Sequence, residues 1–195
     1  LDIATGNAPI PMLLTYRTKA KIYGIEIQKE IYDLGVKSII LNHMDKQIEI
    51  INDDAKNACI LFGDDYFDVI TCNPPYFSTS NVLFENDNLV KATARHEKFL
   101  NVNDVFVISK RLLKTNGRLA IVHRTERFME IVDMAKKFGF SIKKVRFIYP
   151  KVGKNSDLVL IECTKNGKNG LKLLSPLFVY DGDGNYNSEI KMMFG

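Results

Sequence analysis

A short strand that ends in a doubled proline constrains this chain more than any other stretch. Asp68 to Cys72 has the length and apolar content of a buried strand, and Asn73-Pro-Pro-Tyr76 follows it at once. Neither proline can donate to a sheet ladder, each fixes φ at about −65°, and the first drives the preceding residue into an extended conformation. The segment therefore predicts a stiff loop at the carboxyl end of a strand.

The groups on this loop suit one kind of ligand. The side-chain oxygen of Asn73 and the carbonyl oxygen of Pro74 can accept the hydrogens of an exocyclic amine, and Tyr76 offers a ring on which a planar group stacks. The pattern favours a site for a planar amine. The alternative is a proline turn that carries a solvent-facing tyrosine.

Length and composition indicate one globular domain over residues 1–195. Its 46% apolar and 26% charged residues are those of an ordinary soluble protein. No apolar run approaches the ~20 residues of a membrane span, and no signal peptide is visible. Because the chain starts at Leu1 within a motif, we expect an upstream segment, and we read residues 164–195 as a C-terminal extension of the same domain.

The cysteines and histidines predict no metal site. Cys59, Cys72 and Cys163 are far apart in the chain, which is typical of free thiols in a reducing cytoplasm rather than of a disulfide framework or zinc site. His43 and His123 have no metal-ligand spacing, and we interpret both as structural or surface residues. We expect a cytoplasmic protein, and the sequence predicts no particular oligomeric state.

Segments typical of strands alternate with segments typical of helices. The predicted strands are 21–26, 47–51, 67–72, 118–122, 141–149 and 157–163, after a first strand that ends near Asp2, with one more within 171–180. The predicted helices are 10–16, 28–41, 55–61, 102–113 and 126–138. This alternation predicts an α/β fold with a doubly wound parallel sheet.

Polar residues stand where successive predicted strands end. A tight turn at Gly6 follows the first strand, Glu26 ends the second, Asp54 follows the third, and Asn73 follows the fourth. Ligands of such sheets bind outside the carboxyl ends of the strands. Glu26 suits the two hydroxyls of a ribose and Asp54 an adenine amine, although an ordinary surface carboxylate is the alternative for Glu26. The glycine pattern of a pyrophosphate site is missing after Gly6, so the sequence favours a nucleoside cofactor without that group.

With these residues the chain resembles the class I S-adenosylmethionine-dependent methyltransferases. Four segments, with Val179-Tyr-Asp181 near the end, are similar to the bacterial family that N6-methylates an adenine beside the anticodon of tRNA1(Val): Gly24-Ile-Glu-Ile-Gln28, Cys72-Asn-Pro-Pro-Tyr-Phe77, Ala94-Arg-His-Glu97 and Val122-His-Arg-Thr-Glu-Arg127. The resemblance implies a Rossmann-like, seven-stranded methyltransferase sheet, mostly parallel with one antiparallel strand. It also implies S-adenosyl-L-methionine as cofactor and a tRNA as substrate.

The same resemblance assigns the cofactor residues. Asp2, Ala4 and Gly6 would lie beside the methionine part, Glu26 beside the ribose and Asp54 beside the adenine, with Asn73 between cofactor and substrate. Most members have Asp-x-Gly-x-Gly-x-Gly where this chain has Asp2, Ala4, Gly6 and Ala8. We expect the additional Cβ atoms to crowd the methionine part.

The resemblance also assigns the substrate residues. Asn73, Pro74 and Tyr76 would act on the target base, which must be splayed out of its RNA loop. Pro75 and Phe77 would extend the contact, although core packing is an alternative for Phe77. Arg95 and His96 would contact a substrate phosphate or order the loop, with an ion pair to Glu97 as the alternative. These roles come from the resemblance alone.

Three other functions remain open at this point. Asn-Pro-Pro-Tyr also occurs in ribosomal guanine-N2 and protein glutamine-N5 methyltransferases, and a noncatalytic RNA-binding module on the same fold is the third alternative. Between Arg124 and Lys154 nine Lys or Arg residues stand against three acidic residues, while the whole chain has a net charge of +4. This basic stretch favours RNA over a protein substrate, although lysines on a solvated helix face are a common alternative.

Overall fold

One mixed sheet with helices packed against it forms the part of the chain that the computed structural model describes, residues 1–74 and 100–194. Its strands are β1 (Asp2–Ile3), β2 (Ile22–Glu26), β3 (Ile48–Asn52), β4 (Phe67–Cys72), β5 (Leu113–Arg124), β6 (Phe140–Tyr149), β7 (Leu158–Lys165), β8 (Lys172–Leu173) and β9 (Leu177–Phe178). Its α-helices are α1 (Pro9–Thr15), α2 (Lys29–Leu41), α3 (Ala58–Phe62), α4 (Val102–Leu112), α5 (Phe128–Lys137) and α6 (Ser188–Phe194). Single 3-10 turns cover Ala55–Asn57 and Thr125–Arg127.

The strand order confirms the predicted sheet. Seven strands run in the order β3-β2-β1-β4-β5-β7-β6, and the two-residue strands β8 and β9 both pair with β6. Strands β1 to β5 are mutually parallel where they pair, whereas β7 is antiparallel to both of its neighbours. This is the Rossmann-like, mostly parallel arrangement with one antiparallel strand that the sequence led us to expect.

Two apolar clusters lie on opposite faces of the sheet. Ile22 and Ile25 belong to the same strand but to different clusters, because residues an odd number of positions apart point to opposite faces. The larger cluster contains Phe106 of α4 and Ile131 of α5, and the smaller one contains Ile39 of α2. Helices therefore pack on both faces, which leaves the ends of the strands as the accessible edge.

The register brings the carboxyl ends of the parallel strands together. Ile3 pairs with both Ile25 and Cys72, and Cys72 in turn pairs with Ile121. Each of β1, β2, β3 and β4 therefore ends at the same edge of the sheet. We call this edge the carboxyl edge; the predicted site residues follow these strand ends.

Two boundaries differ from the prediction. Helix α4 ends at Leu112 and strand β5 begins at Leu113, five residues before the predicted start at residue 118; Asn116, with φ of 65°, makes an irregular bend inside β5. Asn101 caps the N-terminus of α4, and its side-chain oxygen accepts from the backbone N–H of Asp104 at 2.9 Å. The end of the chain holds β8, β9 and α6 rather than a single strand, because these short segments add to β6 and an ion pair joins Arg146 to Glu189.

Within residues 1–74 and 100–194, no helix has the length and apolar content to cross a membrane. The same residues contain no group of three or more His, Cys, Asp or Glu side chains placed to hold a metal ion.

Candidate functional site

The turn after β1 has a left-handed backbone at every second residue. Ala4, Gly6 and Ala8 have φ values of 55°, 59° and 67°. The Thr5 N–H donates to the carbonyl of Ile25 at 3.1 Å, and the Ala8 N–H donates to the carbonyl of Thr5 at 3.0 Å. The turn is thus tied to β2 and leads directly into α1. Its tight geometry is the one that the sequence predicted.

Glu26 is held rigidly beside this turn. Its two carboxylate oxygens accept backbone N–H groups, one from Gly6 and one from Gln28, each at 2.9 Å. The side chain is only 5% exposed. A carboxylate has about four lone-pair positions, so two acceptor positions remain for a ligand. The arrangement excludes the alternative of an ordinary surface carboxylate and leaves an acceptor aimed along fixed directions.

The acidic pair after β3 forms the next part of the edge. Asp54 caps the following 3-10 turn by accepting the N–H of Lys56 at 2.9 Å, and Asp53 accepts from Asn57 at 2.8 Å. Asn52 donates to the carbonyl of Glu26 at 2.8 Å, which ties the end of β3 to the end of β2. Both aspartates are therefore fixed in place by backbone and amide groups.

These strand ends surround one cavity of about 280 Å³. It is lined by Ala4, Gly6, Ile25, Glu26, Ile27, Gln28, Ile31, Asp53, Asp54, Ala55, Asn73 and Leu100. The walls combine apolar side chains with a few fixed acceptors, as is typical of small-molecule sites. The structure thus brings together Ala4, Gly6, Glu26, Asp54 and Asn73 of the predicted cofactor residues.

Asn73 and Pro74 stand where the cavity meets β4. Asn73 is exposed and lines the cavity, whereas Pro74 is buried. The other predicted substrate residues, Pro75, Tyr76, Phe77, Arg95 and His96, lie outside the described residues. Their roles remain predictions.

Asp2 lies beneath the turn and is not among the residues that line the cavity. It is 1% exposed, and its two oxygens accept from the hydroxyls of Thr5 at 2.7 Å and Thr71 at 2.6 Å. Burial raises the pKa of the Asp2 carboxyl to about 6, although the two hydroxyls oppose the shift. Asp2 thus joins the turn to β4, and its contact with the cofactor remains a prediction. The two threonines, which the sequence analysis missed, carry no recognisable motif.

The stability of the fold should depend on the charge of Asp2. Its folded pKa lies above the ordinary value of 3.8, so the stability that protonated Asp2 provides is lost as pH rises through about 6. The unfolding free energy of Asp2→Asn minus that of the wild type should increase by about 2 kcal/mol between pH values of about 4 and 7. Urea unfolding at each pH measures this difference.

Asp45→Asn is the matched control, because Asp45 is exposed and makes no described ion pair. A difference for Asp2→Asn that stays constant with pH would show that the buried carboxyl does not change its charge in this range.

The left-handed alanines give a second prediction. A non-glycine residue with a left-handed backbone destabilises the folded state by about 1–2 kcal/mol. Glycine removes this strain, but it also gives the unfolded chain more conformational entropy, which offsets about 0.4–1 kcal/mol of the gain. We expect Ala4→Gly to raise the unfolding free energy by about 0.5–1 kcal/mol in chemical denaturation. Ala8→Gly should gain less, because the Ala8 methyl is fully buried. In the control Ala135→Gly, in the interior of α5, the unfolding free energy should fall by about 1 kcal/mol. A similar fall for Ala4→Gly would show that the left-handed backbone at Ala4 is not strained.

Comparison with known proteins identifies a family and a fold for this chain. The N-6 DNA Methylase family profile matches residues 14–133, more than half of the chain. The chain belongs to the N-6 DNA Methylase family. Among solved structures, a predicted O-methyltransferase from Agrobacterium tumefaciens has a TM-score of 0.76 at 18% identity, covering 98% of this chain and 86% of that one. A geranyl diphosphate methyltransferase solved with SAM has a TM-score of 0.62 at 12% identity, covering 84% and 76%. These neighbours establish the methyltransferase fold.

Curated relatives of this N-6 DNA Methylase family member are tRNA1(Val) (adenine(37)-N6)-methyltransferases. Those of Phocaeicola vulgatus and Tolumonas auensis are 25% and 28% identical over 83% of this chain. The chain spans 66% of the length of each, just under two thirds. The relative from Histophilus somni is 28% identical over 99% of this chain and 79% of its own length.

Proposed function

We propose that this chain is an S-adenosylmethionine-dependent N-methyltransferase that acts on the exocyclic N6 of an adenine in RNA. The observation that carries the proposal is the cavity at the carboxyl edge, where Glu26, Gly6 and Asp54 share one wall with Asn73. Acceptors suited to a nucleoside and an acceptor suited to a planar amine thus lie in the same space. We propose the adenine at position 37 of tRNA1(Val) as the target, because the curated relatives are named for that reaction.

The residues that form the cavity fit S-adenosylmethionine. Glu26 retains acceptor positions for the two ribose hydroxyls, and its carboxylate is held by the N–H groups of Gly6 and Gln28. Asp53 or Asp54 would accept from an adenine amine, and Ile27 and Ile31 provide apolar walls. When bound, the cofactor supplies an electrophilic methyl group and requires no phosphate site.

Asn73 and Pro74 would act on the amine to be methylated. The N6 lone pair of adenine is delocalised into the ring, so the amine is a weak nucleophile. The Asn73 side-chain oxygen and the Pro74 carbonyl would accept its two hydrogens and stabilise the positive charge that develops on nitrogen. The doubled proline would hold these acceptors in advance at the end of β4, so little reorganisation would be needed. After transfer the methylated nitrogen carries a positive charge and is acidic, so it would lose its proton to water without a dedicated base.

The RNA substrate explains more of the chain than the alternatives do. A tRNA would engage the basic stretch from Arg124 to Lys154, and it would place the protein in the cytoplasm. A noncatalytic RNA-binding module would need neither the braced carboxylate of Glu26 nor the acceptor of Asn73. The relatives favour adenine over guanine or protein glutamine.

Methyl transfer to defined RNAs tests the proposal. The protein is incubated with labelled S-adenosylmethionine and a tRNA1(Val) transcript, and the RNA is digested to nucleosides for mass spectrometry. We expect label in N6-methyladenosine, and none when the adenine at position 37 is replaced by guanosine. Label in N2-methylguanosine or protein glutamine would favour the other methyltransferases, and cofactor binding without transfer to any substrate would favour the noncatalytic module.

A further inference from the structure

A second cavity lies on the same edge of the sheet, beyond the antiparallel strand. It is open, has a volume of about 620 Å³, and is lined by Pro150, Lys151, Lys154, Asn155, Asp157, Tyr180 and Gly184. Its walls come from the loop between β6 and β7 and from the segment that follows β9. None of these residues lines the first cavity.

The second cavity is continuous with the end of β5. Arg124, the last residue of β5, pairs with Leu158, the first residue of β7. The Thr125 N–H donates to the carbonyl of Asp157 at 3.0 Å, and the hydroxyls of Thr125 and Ser156 are 2.9 Å apart. Because β5 is parallel to β4, the edge runs without interruption from Asn73 past Arg124 to this loop.

Three cations that form no ion pair within the described part of the chain lie along this path. Three of the nine cations of the basic stretch are in ion pairs, which join Arg127 to Glu130, Lys144 to Glu162 and Arg146 to Glu189. Among the described residues, by contrast, no carboxylate forms an ion pair with Arg124, Lys151 or Lys154, and all three are exposed. Lys136, Lys137 and Lys143 precede the carboxyl end of β6, so Arg124, Lys151 and Lys154 are the cations of this group that lie at the carboxyl edge.

Two stacked tyrosines stand beside these cations. The rings of Tyr180 and Tyr186 have centroids 5.3 Å apart and planes 20° from parallel, yet the residues are 39% and 53% exposed. Asp181 fixes the turn between them, because its side chain accepts the N–H groups of Asp183 and Asn185. A fixed, exposed aromatic pair next to cations is a combination that proteins use to bind single-stranded nucleic acid.

We propose that this second cavity binds a nucleotide of the RNA substrate that flanks the methylated adenosine. Lys151 and Lys154 contact its phosphate, the base packs against Tyr180, and Asp157 accepts from a base amine. The inference rests on the proposed function, because it assigns the second cavity to the same RNA.

The spacing of the β-strands shows that the second cavity does not hold the methylated adenosine itself. Three strand spacings of about 4.8 Å separate β4 from β6, roughly 14 Å in all. A base held at Asn73 does not reach Lys151 across that distance. The second cavity therefore takes a nearby nucleotide of the same RNA strand. The contacts there involve the phosphate and one face of a base, and they therefore raise affinity for RNA without touching the reacting amine.

RNA binding by charge variants tests this inference. Fluorescence anisotropy measures binding of a labelled tRNA1(Val) anticodon stem-loop to the wild type, to Lys151→Ala/Lys154→Ala and to Lys19→Ala/Lys46→Ala. The control lysines are exposed, unpaired in the described structure, and precede β2 and β3 at the opposite edge. We expect the first variant to bind about 10-fold more weakly, with a salt slope lower by about 1–2, and the control to stay within about two-fold.

A second variant and the enzyme assay separate the possible failures. Tyr180→Leu should also weaken binding, by at least about five-fold, with an unchanged salt slope. S-adenosylmethionine affinity should be the same in all variants, which shows that the first cavity is intact. If the wild type binds and methylates the RNA but the lysine variant matches its control, the second site is overturned while the proposed function stands. If the wild type does not bind the RNA, both are overturned.

Discussion

Replacement of Asn73 by alanine should reduce methyl transfer by at least about 100- to 1,000-fold, the usual effect of losing one preorganised polar group at a reacting centre. The side-chain oxygen of Asn73 would hold a hydrogen of the amine and stabilise the charge that forms there. Affinity for S-adenosylmethionine should change only a few-fold, because Glu26 and the turn at Gly6 remain intact. Single-turnover transfer to RNA measures the first quantity, and isothermal titration with the cofactor measures the second.

Asn7→Ala is the matched control for this experiment. Asn7 is exposed on the turn after β1 and is not among the residues that line the cavity. Its variant should retain both transfer and cofactor binding. Loss of transfer and cofactor binding together in Asn73→Ala would show that Asn73 serves the fold or the cofactor rather than the amine.

Replacement of Glu26 by alanine should lower the affinity for S-adenosylmethionine by at least about 100-fold. Each hydrogen bond to a charged acceptor contributes about 1.5–3 kcal/mol, and the variant would lose both of the contacts proposed to the ribose hydroxyls. It also loses the acceptor for the N–H of Gly6, so the turn is less firmly placed. Isothermal titration of the variant and the wild type measures the difference directly.

Two further variants make the result specific. Glu30→Ala removes an exposed carboxylate from the first turn of α2, four residues away, and should leave cofactor affinity unchanged. Glu26→Gln keeps the size of the side chain and should bind the cofactor better than Glu26→Ala but worse than the wild type. A Glu26→Ala protein that melts as the wild type does and binds the cofactor equally well would rule out this carboxylate as the ribose acceptor.

The sequence predicted the cavity well because its residues follow strand ends. Apolar runs locate the strands, parallel strands end at one edge, and Glu26, Asp54 and Asn73 come directly after such runs. The register then places them around a common space without further information. Local pattern and global topology agree here, so the fold and the grouping of these residues at one edge were both predictable, while their roles stay predictions.

The parts that the sequence did not predict depend on contacts between distant segments. The hydroxyl of Thr71 reaches Asp2 from 69 positions away, and nothing in either local pattern signals the pair. The short strands β8 and β9 have too few residues for a period, and they form only because the edge of β6 accepts them. The second cavity likewise joins Lys151 to Tyr180 through pairing that composition does not reveal.

A crystal structure of the protein with bound S-adenosylhomocysteine tests the central claim most directly. The account predicts density in the first cavity, with the ribose hydroxyls on the carboxylate of Glu26, the adenine amine beside Asp53 or Asp54, and the sulfur facing Asn73. Density for the ligand elsewhere, or in the cavity with its sulfur directed away from Asn73, would contradict the claim that cofactor and target amine meet at the end of β4.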